Sequence, residues 1–301
     1  MAGSEGSGRK WLACGCLGCL AIVVAVLLLI ASFFGTAWVG VRNEQVAERT
    51  LEPRIEAGEA IGPEAAIKPG RVVLRTTSGE FHLKPARRGE SLRVEATYDE
   101  NTYELREHFE PGGERWTYEI EFERKSSMLM SLLKAMVGGA GSRVEIYLPE
   151  DVPLELEVHV RQGGGQIDLG GLWLTSVEID CTQGGFELAV SKPLREPMES
   201  LVLHGSMGGF SADGLGDASP RRLEVDWSMG GMELDLRGKW VVDSDISIRT
   251  RQGGASVMLP RDVEIVGLET RGVALRGDEE TPRPTLTFSV SATQGELEII
   301  E

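Results

Sequence analysis

Apolar and polar residues alternate along most of the chain after Arg71. Five segments follow this period of two, at residues 71–76, 80–83, 91–98, 102–109 and 115–122. Such alternation is typical of strands that have one buried face. The glycine-rich Pro111–Gly113 separates the last two segments and predicts a hairpin turn. The pattern therefore predicts an all-β domain.

A short phrase recurs through the second half of the chain: a polar residue or Met, a glycine pair, and then an alternating strand. Clear copies begin at Gln162, Gln183, Met207, Met229 and Gln252, and weaker copies begin at Thr270, at Gln294 and near Ser78. No helical pattern separates the copies, which excludes a βαβ fold. A unit of about 20 residues that cannot bury its own face must stack on its neighbours. The repeat thus predicts a β-solenoid of about seven or eight rungs, roughly 35 Å long at a rung spacing of about 4.8 Å.

The glycine pairs are interpreted as structural corners. A corner repeated in every rung needs a positive φ and close approach of backbones, and glycine permits both. The predicted corner residues are Gly163, Gly164, Gly184, Gly185, Gly208, Gly209, Gly230, Gly231, Gly253 and Gly254. A phosphate-binding loop would need a following helix, and here strands follow. Glutamines precede several corners and predict an amide ladder along the solenoid: Gln162, Gln183, Gln252 and Gln294.

An apolar run near the N-terminus predicts a membrane anchor. Residues 17–34 are almost wholly apolar, and Trp11 and Trp38 flank them as interfacial aromatics do. Together they supply the roughly 20 residues that a spanning helix needs. The alternative is a signal peptide cleaved after Gly35–Ala37, although signal-peptide apolar regions are shorter, at about 7–15 residues.

These features divide the chain into four parts. We predict a cytoplasmic tail at 1–10, a transmembrane anchor at 11–41, a juxtamembrane spacer at 42–70 and a β-solenoid domain at 71–301. The formal net charge is −16, which argues against a general nucleic-acid binder. Arg9 and Lys10 make the short tail positive, which weakly favours a cytoplasmic N-terminus. The predicted location is the bacterial inner membrane, with the acidic domain outside the cytoplasm.

The four cysteines are too few for a disulfide-dense secreted scaffold. Cys14, Cys16 and Cys19 cluster at the start of the apolar run, where palmitoylation and simple packing at the membrane edge are the alternatives. A zinc site there lacks a fourth ligand. Cys181 shares the phase of Ile179 and is predicted to be a buried thiol.

Residues 128–142 break the alternation, because their apolar residues recur at helical spacing before glycines follow. One interpretation is a short helix or loop that covers an open end of the sheet. The other is a methionine-rich, adaptable contact surface for a partner or a membrane. Under the second interpretation the contact residues are Met128, Leu129, Met130, Leu132, Leu133 and Met136.

Residues that could carry catalysis or bind metal are sparse. The four histidines are predicted to lie singly on the surface, each without a second ligand: His82, His108, His159 and His204. Some carboxylates follow the glycine pairs and could align between rungs around a divalent ion: Asp168, Glu187, Glu233 and Asp235. Tandem calcium-binding nonapeptides and a nucleophile elbow are both missing from the sequence. We therefore predict no catalytic residue, no cofactor and no metal site.

The repeated polar-Gly-Gly corners, the single apolar run and two LPxDV phrases, at 148–152 and 259–263, carry a family resemblance. They resemble the toast-rack family of bacterial β-solenoids, often labelled "putative adhesin" domains and related to cell-wall-active-antibiotic response proteins. The resemblance covers about residues 70–300. It implies a right-handed or single-sheet β-solenoid on an envelope protein, without catalytic residues, and roles in adhesion, envelope-stress sensing or regulation.

We expect a membrane-anchored, extracytoplasmic, non-enzymatic interaction or scaffold module, with envelope-stress sensing as one role. The alternatives are a surface adhesin that binds protein or glycan, and a polysaccharide-acting β-helix enzyme. The expected partners are the lipid bilayer, through residues 11–41, and an unidentified envelope protein or glycan. Self-association through the apolar final strand, 296–300, remains open.

Overall fold

The computed structural model describes residues 26, 28, 46–53, 68–125, 142–268 and 283–300. The chain divides into two compact units, residues 1–45 with 126–140, and residues 46–125 with 141–301. In the first unit only Val26 and Leu28 are described, and both are helical and exposed. None of the described helical residues forms a helix long and apolar enough to cross a bilayer. The predicted anchor, Val26 and Leu28 apart, and the predicted contact segment at 128–136 lie outside the described residues.

The second unit is all-β, as the alternation predicts. Its described residues form fifteen strands in one sheet. They are β1 Val46–Leu51, β2 Gly70–Thr76, β3 Glu80–Pro85, β4 Arg93–Asp99, β5 Tyr103–Glu110, β6 Trp116–Arg124, β7 Arg143–Leu148, β8 Leu154–Asp168, β9 Leu174–Ala189, β10 Ser200–Asp213, β11 Arg222–Asp235, β12 Ser244–Met258, β13 Glu264–Val266, β14 Thr285–Ala292 and β15 Gly295–Ile300. A 3-10 turn, Leu215–Asp217, lies between β10 and β11.

Strands β8 to β12 are the regular rungs of a solenoid. Each pairs in parallel with the next, and the register matches on both sides of the glycine pair. The glycine pair therefore bends one continuous strand into two arms, where the sequence had suggested two strands separated by a turn. β14 and β15 pair with the two arms of β12, so together they form one further rung.

The N-terminal part adds two rungs and an antiparallel cap. β2 and β3 pair in parallel with the two arms of β8, which confirms the early copy near Ser78. β6 and β7 pair in parallel with β2 and β3 on the other side. β5 pairs antiparallel with β6 through the hairpin predicted at Pro111–Gly113, and β4 pairs antiparallel with β7. The described strands thus build eight rungs, within the predicted number.

One boundary of the predicted domain is wrong. Residues 46–51 belong to the predicted spacer, yet they form β1, which pairs antiparallel with β4 from Val46↔Asp99 to Leu51↔Val94. Only Leu51 and Ala47 of this strand pack against the core, so its apolar alternation is too weak to identify it as a strand. The folded domain therefore begins near Val46, well before residue 71.

The chain does not visit the rungs in spatial order. The rung β2/β3 lies between β6/β7 and β8, although β7 directly precedes β8 in the chain. At the other end β14 lies between β12 and β13, although β13 follows β12. Each of these crossings follows one of the two LPxDV phrases, 148–152 and 259–263. The two phrases therefore mark equivalent places, each at the end of a rung where the chain passes over the neighbouring rung position.

The core lies along the inner face of both arms. The alternating apolar residues are buried in one continuous cluster, and Cys181 belongs to it at 3% exposure, as predicted. Aromatic rings join the arms: the ring of Trp227, on the first arm of β11, lies 4.5 Å from the ring of Phe210, on the second arm of β10. Gly205 leaves room for that indole, because a Cβ there would lie 2.0 Å from its ring.

The first glycine of each pair forms the predicted corner. The φ angles of Gly163, Gly184, Gly208, Gly230 and Gly253 lie between 120° and 135°. A Cβ on Gly208 would lie 1.6 Å from the carbonyl oxygen of Gly184, and the other members of this column are similarly crowded. The second glycines, Gly164, Gly185, Gly209, Gly231 and Gly254, do not have a positive φ. The first glycine of each pair therefore needs its positive φ. Among the second glycines Gly185 is the most crowded, since a Cβ there would lie 2.5 Å from the carbonyl oxygen of Gly209.

Candidate functional site

A polar column runs across the outer face of the first arms. The register of β8 to β11 places His159, Asp180, His204 and Asp226 side by side on successive rungs. All of their chain neighbours except Gly205 are buried in the core, so the alternation of the strand turns these four side chains outward. A parallel, in-register stack therefore brings together residues that lie more than 20 positions apart in the sequence.

Asp180 links the two histidines of this column. Its Oδ2 lies 3.1 Å from Nδ1 of His159, and its Oδ1 lies 3.3 Å from Nδ1 of His204. Nε2 of His159 also lies 3.8 Å from Oε2 of Glu157. Glu178 completes the group, because one ligand atom each from Glu178, Asp180 and His204 lie within 4.8 Å of one another. We name Glu178, Asp180, His159 and His204 the histidine cluster.

The prediction of isolated histidines is therefore wrong. Besides the two in the histidine cluster, His82 lies 2.8 Å from a carboxylate oxygen of Glu80. His108 lies 3.2 Å from a carboxylate oxygen of Glu110. The spacing along one strand does not show the cluster, because its members come from different rungs and meet only through the register.

A second polar column runs beside the histidine cluster. Thr182, Ser206 and Ser228 lie two residues further along their strands, with Arg161 and Arg251 in the rungs on either side. Arg251 donates hydrogen bonds to Oγ of Ser228 at 2.8 Å and to Oδ2 of Asp226 at 3.1 Å. The two columns line a shallow groove of about 450 Å³. Its lining offers hydroxyl groups, imidazoles and charges of both signs.

The thiol of Cys181 takes no part in this polar surface. Its side chain points into the core beneath the groove, and burial raises the pKa of the thiol above its usual value. A buried thiol with a raised pKa stays protonated and is a poor nucleophile or metal ligand.

The carboxylates of Asp168, Glu187 and Asp235, after the glycine pairs, have separate hydrogen-bond partners and do not gather around one position. Oδ2 of Asp168 accepts a hydrogen bond from Oγ of Ser191 at 2.7 Å, and Glu187 accepts one from Gln166 at 3.1 Å. Asp235 is buried, and Arg237 donates to it from Nε at 2.8 Å. These hydrogen bonds hold the loops and strands at each rung.

The predicted glutamine ladder exists in two pieces. Nε2 of Gln162 donates to Oε1 of Gln183 at 2.8 Å, and Nε2 of Gln252 donates to Oε1 of Gln294 at 3.0 Å. Met207 and Met229 occupy the same column between the two pairs. The column stabilises neighbouring rungs and offers no recognition chemistry of its own.

Two further grooves follow the second arms beside the glycine corners, with volumes of about 500 and 430 Å³. The rings of Phe186 and Phe210 stack there, with centroids 5.3 Å apart, but both side chains are buried in the core. The stacked exposed aromatics expected of a glycan-binding groove are therefore not found among the described residues. These grooves expose mainly backbone, Glu and Ser.

The geometry of the histidine cluster suits binding better than bond cleavage. The side chains of His159, Asp180 and His204 are between 30% and 41% exposed, in an open groove. Electrostatic catalysis needs preorganised groups in a site that excludes water. Both oxygens of Asp180 already face imidazole nitrogens, which leaves this carboxylate better placed to hold a ligand than to attack one.

Comparison with known proteins places this fold in a family. A family model described as the N-terminal domain of toast_rack matches residues 48–205. No curated protein matches the chain. Similar solved structures include a "putative cell adhesion protein" from Clostridium sporogenes, with 13% identity over 85% of this chain and 99% of that chain and a TM-score of 0.43.

Two more structures extend the set. A "putative adhesin" from Bacteroides fragilis shares 10% identity, over 85% of this chain and 97% of that chain, with a TM-score of 0.41. A "putative lipid binding protein" from Parabacteroides distasonis shares 12% identity, over 86% of this chain and 98% of that chain, with a TM-score of 0.27. Since the family model matches just over half of the 301 residues, the chain belongs to the toast-rack family.

Proposed function

We propose that this protein is a single-pass envelope protein whose β-solenoid is an extracytoplasmic, non-enzymatic interaction or scaffold module. Its membership of the toast-rack family supports a structural role for the solenoid. The apolar run at 17–34 supports the membrane anchor, and the acidic composition supports export of the domain. We further propose that the module takes part in envelope-stress sensing, through a partner that it contacts directly.

One observation carries the interaction role: an insertion at a corner of the solenoid. β2 and β3 are joined by Thr77–Gly79 alone, whereas residues 125–142 join β6 to β7 at the same corner of the next rung. Both arms of these rungs nevertheless pair in unbroken register. The ladder therefore does not require the long connection, and a role outside the ladder explains why the chain has it.

The composition of this insertion indicates what it contacts. It contains the apolar residues proposed as the contact surface: Met128, Leu129, Met130, Leu132, Leu133 and Met136. Methionine side chains are flexible and polarizable, so surfaces rich in them adapt to different partners. We propose that these residues bind an apolar surface on an envelope protein.

Proximity cross-linking in intact cells tests this role. The full chain is compared with a variant in which residues 128–137 are replaced by serine and glycine at unchanged length. A matched control replaces Arg87 and Arg88, in the exposed loop between β3 and β4, with serine. We expect a defined envelope partner that is captured by the full chain and by the control but is lost from the first variant.

Two results would count against the proposal. An unchanged set of captured proteins would show that residues 128–137 are not the contact and would move it to the faces of the solenoid. Capture of no protein by the full chain would contradict a protein-interaction module and favour the alternative of a glycan-binding adhesin.

A further inference from the structure

We infer that the histidine cluster binds a divalent metal ion of the zinc type, with Glu178, Asp180 and His204 as its ligands. This inference is independent of the interaction role, because it concerns the outer face of β9 and β10 and not the insertion between β6 and β7. The glycine corners of the solenoid do not need a metal ion at this position.

The distances fit a tetrahedral ion. Zinc lies about 2.0–2.1 Å from nitrogen and oxygen ligands, so two ligands of a tetrahedral site are about 3.3–3.4 Å apart. Nδ1 of His204 and Oδ1 of Asp180 are 3.3 Å apart. The ligand atom of Glu178 lies within 4.8 Å of both, and this side chain is exposed and able to rotate. A shift of about 1 Å would bring it into the coordination sphere.

The carboxylates beside the cluster are paired with arginines, whereas those of the proposed ligands are not. Nε of Arg71 donates to Glu157 at 2.8 Å, and Arg251 pairs with Asp226 at 3.1 Å. In the part of the chain that the structure describes, no arginine or lysine pairs with Glu178 or Asp180. Glu178 also lies directly opposite Glu157 on the neighbouring rung. Like charges across strands repel, and a bound cation would relieve that repulsion.

The donor set selects the class of metal. An imidazole nitrogen with two carboxylates suits zinc and neighbouring transition metals, whereas calcium and magnesium prefer oxygen ligands alone and more of them. Three protein ligands leave a fourth position for water. His159 supports the site from outside, because its Nδ1 lies 3.1 Å from the other oxygen of Asp180 and can orient that carboxylate.

Titration calorimetry with Zn²⁺ tests the inference on the full chain in detergent. Cys14, Cys16 and Cys19 are replaced by serine throughout, because their thiolates would bind zinc as well. We expect one zinc ion per chain. His204→Gln and Asp180→Asn should each weaken binding by about tenfold or more, because a three-ligand site loses one ligand. His108→Gln, which removes a surface histidine on β5, should leave binding unchanged.

Two outcomes of these titrations would overturn the inference. Zinc binding that is unaffected by His204→Gln and Asp180→Asn, or no saturable binding up to about 1 mM zinc, would exclude the site. Circular dichroism of each variant without metal establishes that it is folded, and Glu178→Gln gives a third, exposed position that cannot disturb the core. Excess Ca²⁺ should not displace the zinc; displacement would show an oxygen site and contradict the role of His204.

Discussion

Gly230 and Gly231 are neighbours in the chain but face different constraints. Gly230 has a φ of 122°, and a Cβ there would lie 1.6 Å from the carbonyl oxygen of Gly208 on the previous rung. Around Gly231 a Cβ would meet nothing within 4 Å, and its φ is not positive. The two residues look alike in the sequence, so only the backbone geometry separates a required glycine from a tolerated one.

This contrast predicts different costs of substitution. Gly230→Ala should lower the free energy of unfolding by about 3 kcal/mol, since the unfavourable φ costs about 1–2 kcal/mol and the backbone of the previous rung must also shift. Gly231→Ala should change it by less than about 1 kcal/mol. Urea unfolding, followed by tryptophan fluorescence, measures both. Equal effects of the two substitutions would contradict the corner geometry.

At the scale of the strand elements, the glutamine column forms hydrogen-bonded pairs at its two ends and is interrupted between them. The repeat predicts that these side chains stack, and the two hydrogen-bonded pairs confirm it. Met207 and Met229 interrupt the stack, and Met229 is 41% exposed. An exposed thioether accepts hydrogen bonds only weakly, so these two rungs lack the amide hydrogen bonds of their neighbours.

Completing the column should stabilise the solenoid. The double variant Met207→Gln, Met229→Gln would join Gln183 to Gln252 by a continuous run of amides. We expect a gain of about 1 kcal/mol, because hydrogen bonds between exposed side chains contribute little each. The matched control is Met207→Leu, Met229→Leu, which keeps the size and adds no amide. A double glutamine variant no more stable than the control would show that the ladder contributes nothing measurable.

Alternation along each strand predicts the faces of the elements but not their neighbours. It identified buried residues such as Ile179 and Cys181, because a period of two fixes which side chains share a face. It missed the histidine cluster, because His159, Asp180 and His204 meet only when three rungs align. It also missed the burial of Asp235, which depends on Arg237 bending back onto it. Parallel pairing is non-local, so the register must be known before such groups can be found.

At the scale of the whole molecule, the acidic solenoid depends on paired carboxylates. Lys84 and Tyr147 lower the pKa of Glu145, Arg222 and Arg249 lower the pKa of Glu224, and Arg237 lowers the pKa of Asp235. A carboxylate whose pKa is lower in the folded state stabilises the fold above its unfolded pKa. That contribution is lost as the pH falls through the folded pKa.

The stability of the domain should therefore fall in acid. We expect the free energy of unfolding to decline below about pH 4, although protonation also relieves the repulsion within a chain of net charge −16. Glu224→Gln should destabilise the domain by about 1 kcal/mol at pH 7, and its difference from the unsubstituted chain should shrink towards pH 3. The control is Glu233→Gln, at an exposed position without an ion pair among the described residues. Urea unfolding at several pH values measures these free energies. A difference between the unsubstituted chain and Glu224→Gln that stays constant with pH would contradict the role of the Glu224 ion pairs.

The out-of-order rungs have a consequence for the nascent chain. The ribosome delivers β2 and β3 first, but both of their neighbours, β6/β7 and β8, are synthesised later. This first rung therefore emerges with both edges unpaired. One edge can pair once β7 ends at Leu148, and the other only once β8 ends at Asp168. Every rung from β9 to β12 instead emerges beside a finished template. Assembly of the first three rungs is thus the vulnerable stage of biosynthesis, and the rest of the solenoid can extend from it one rung at a time.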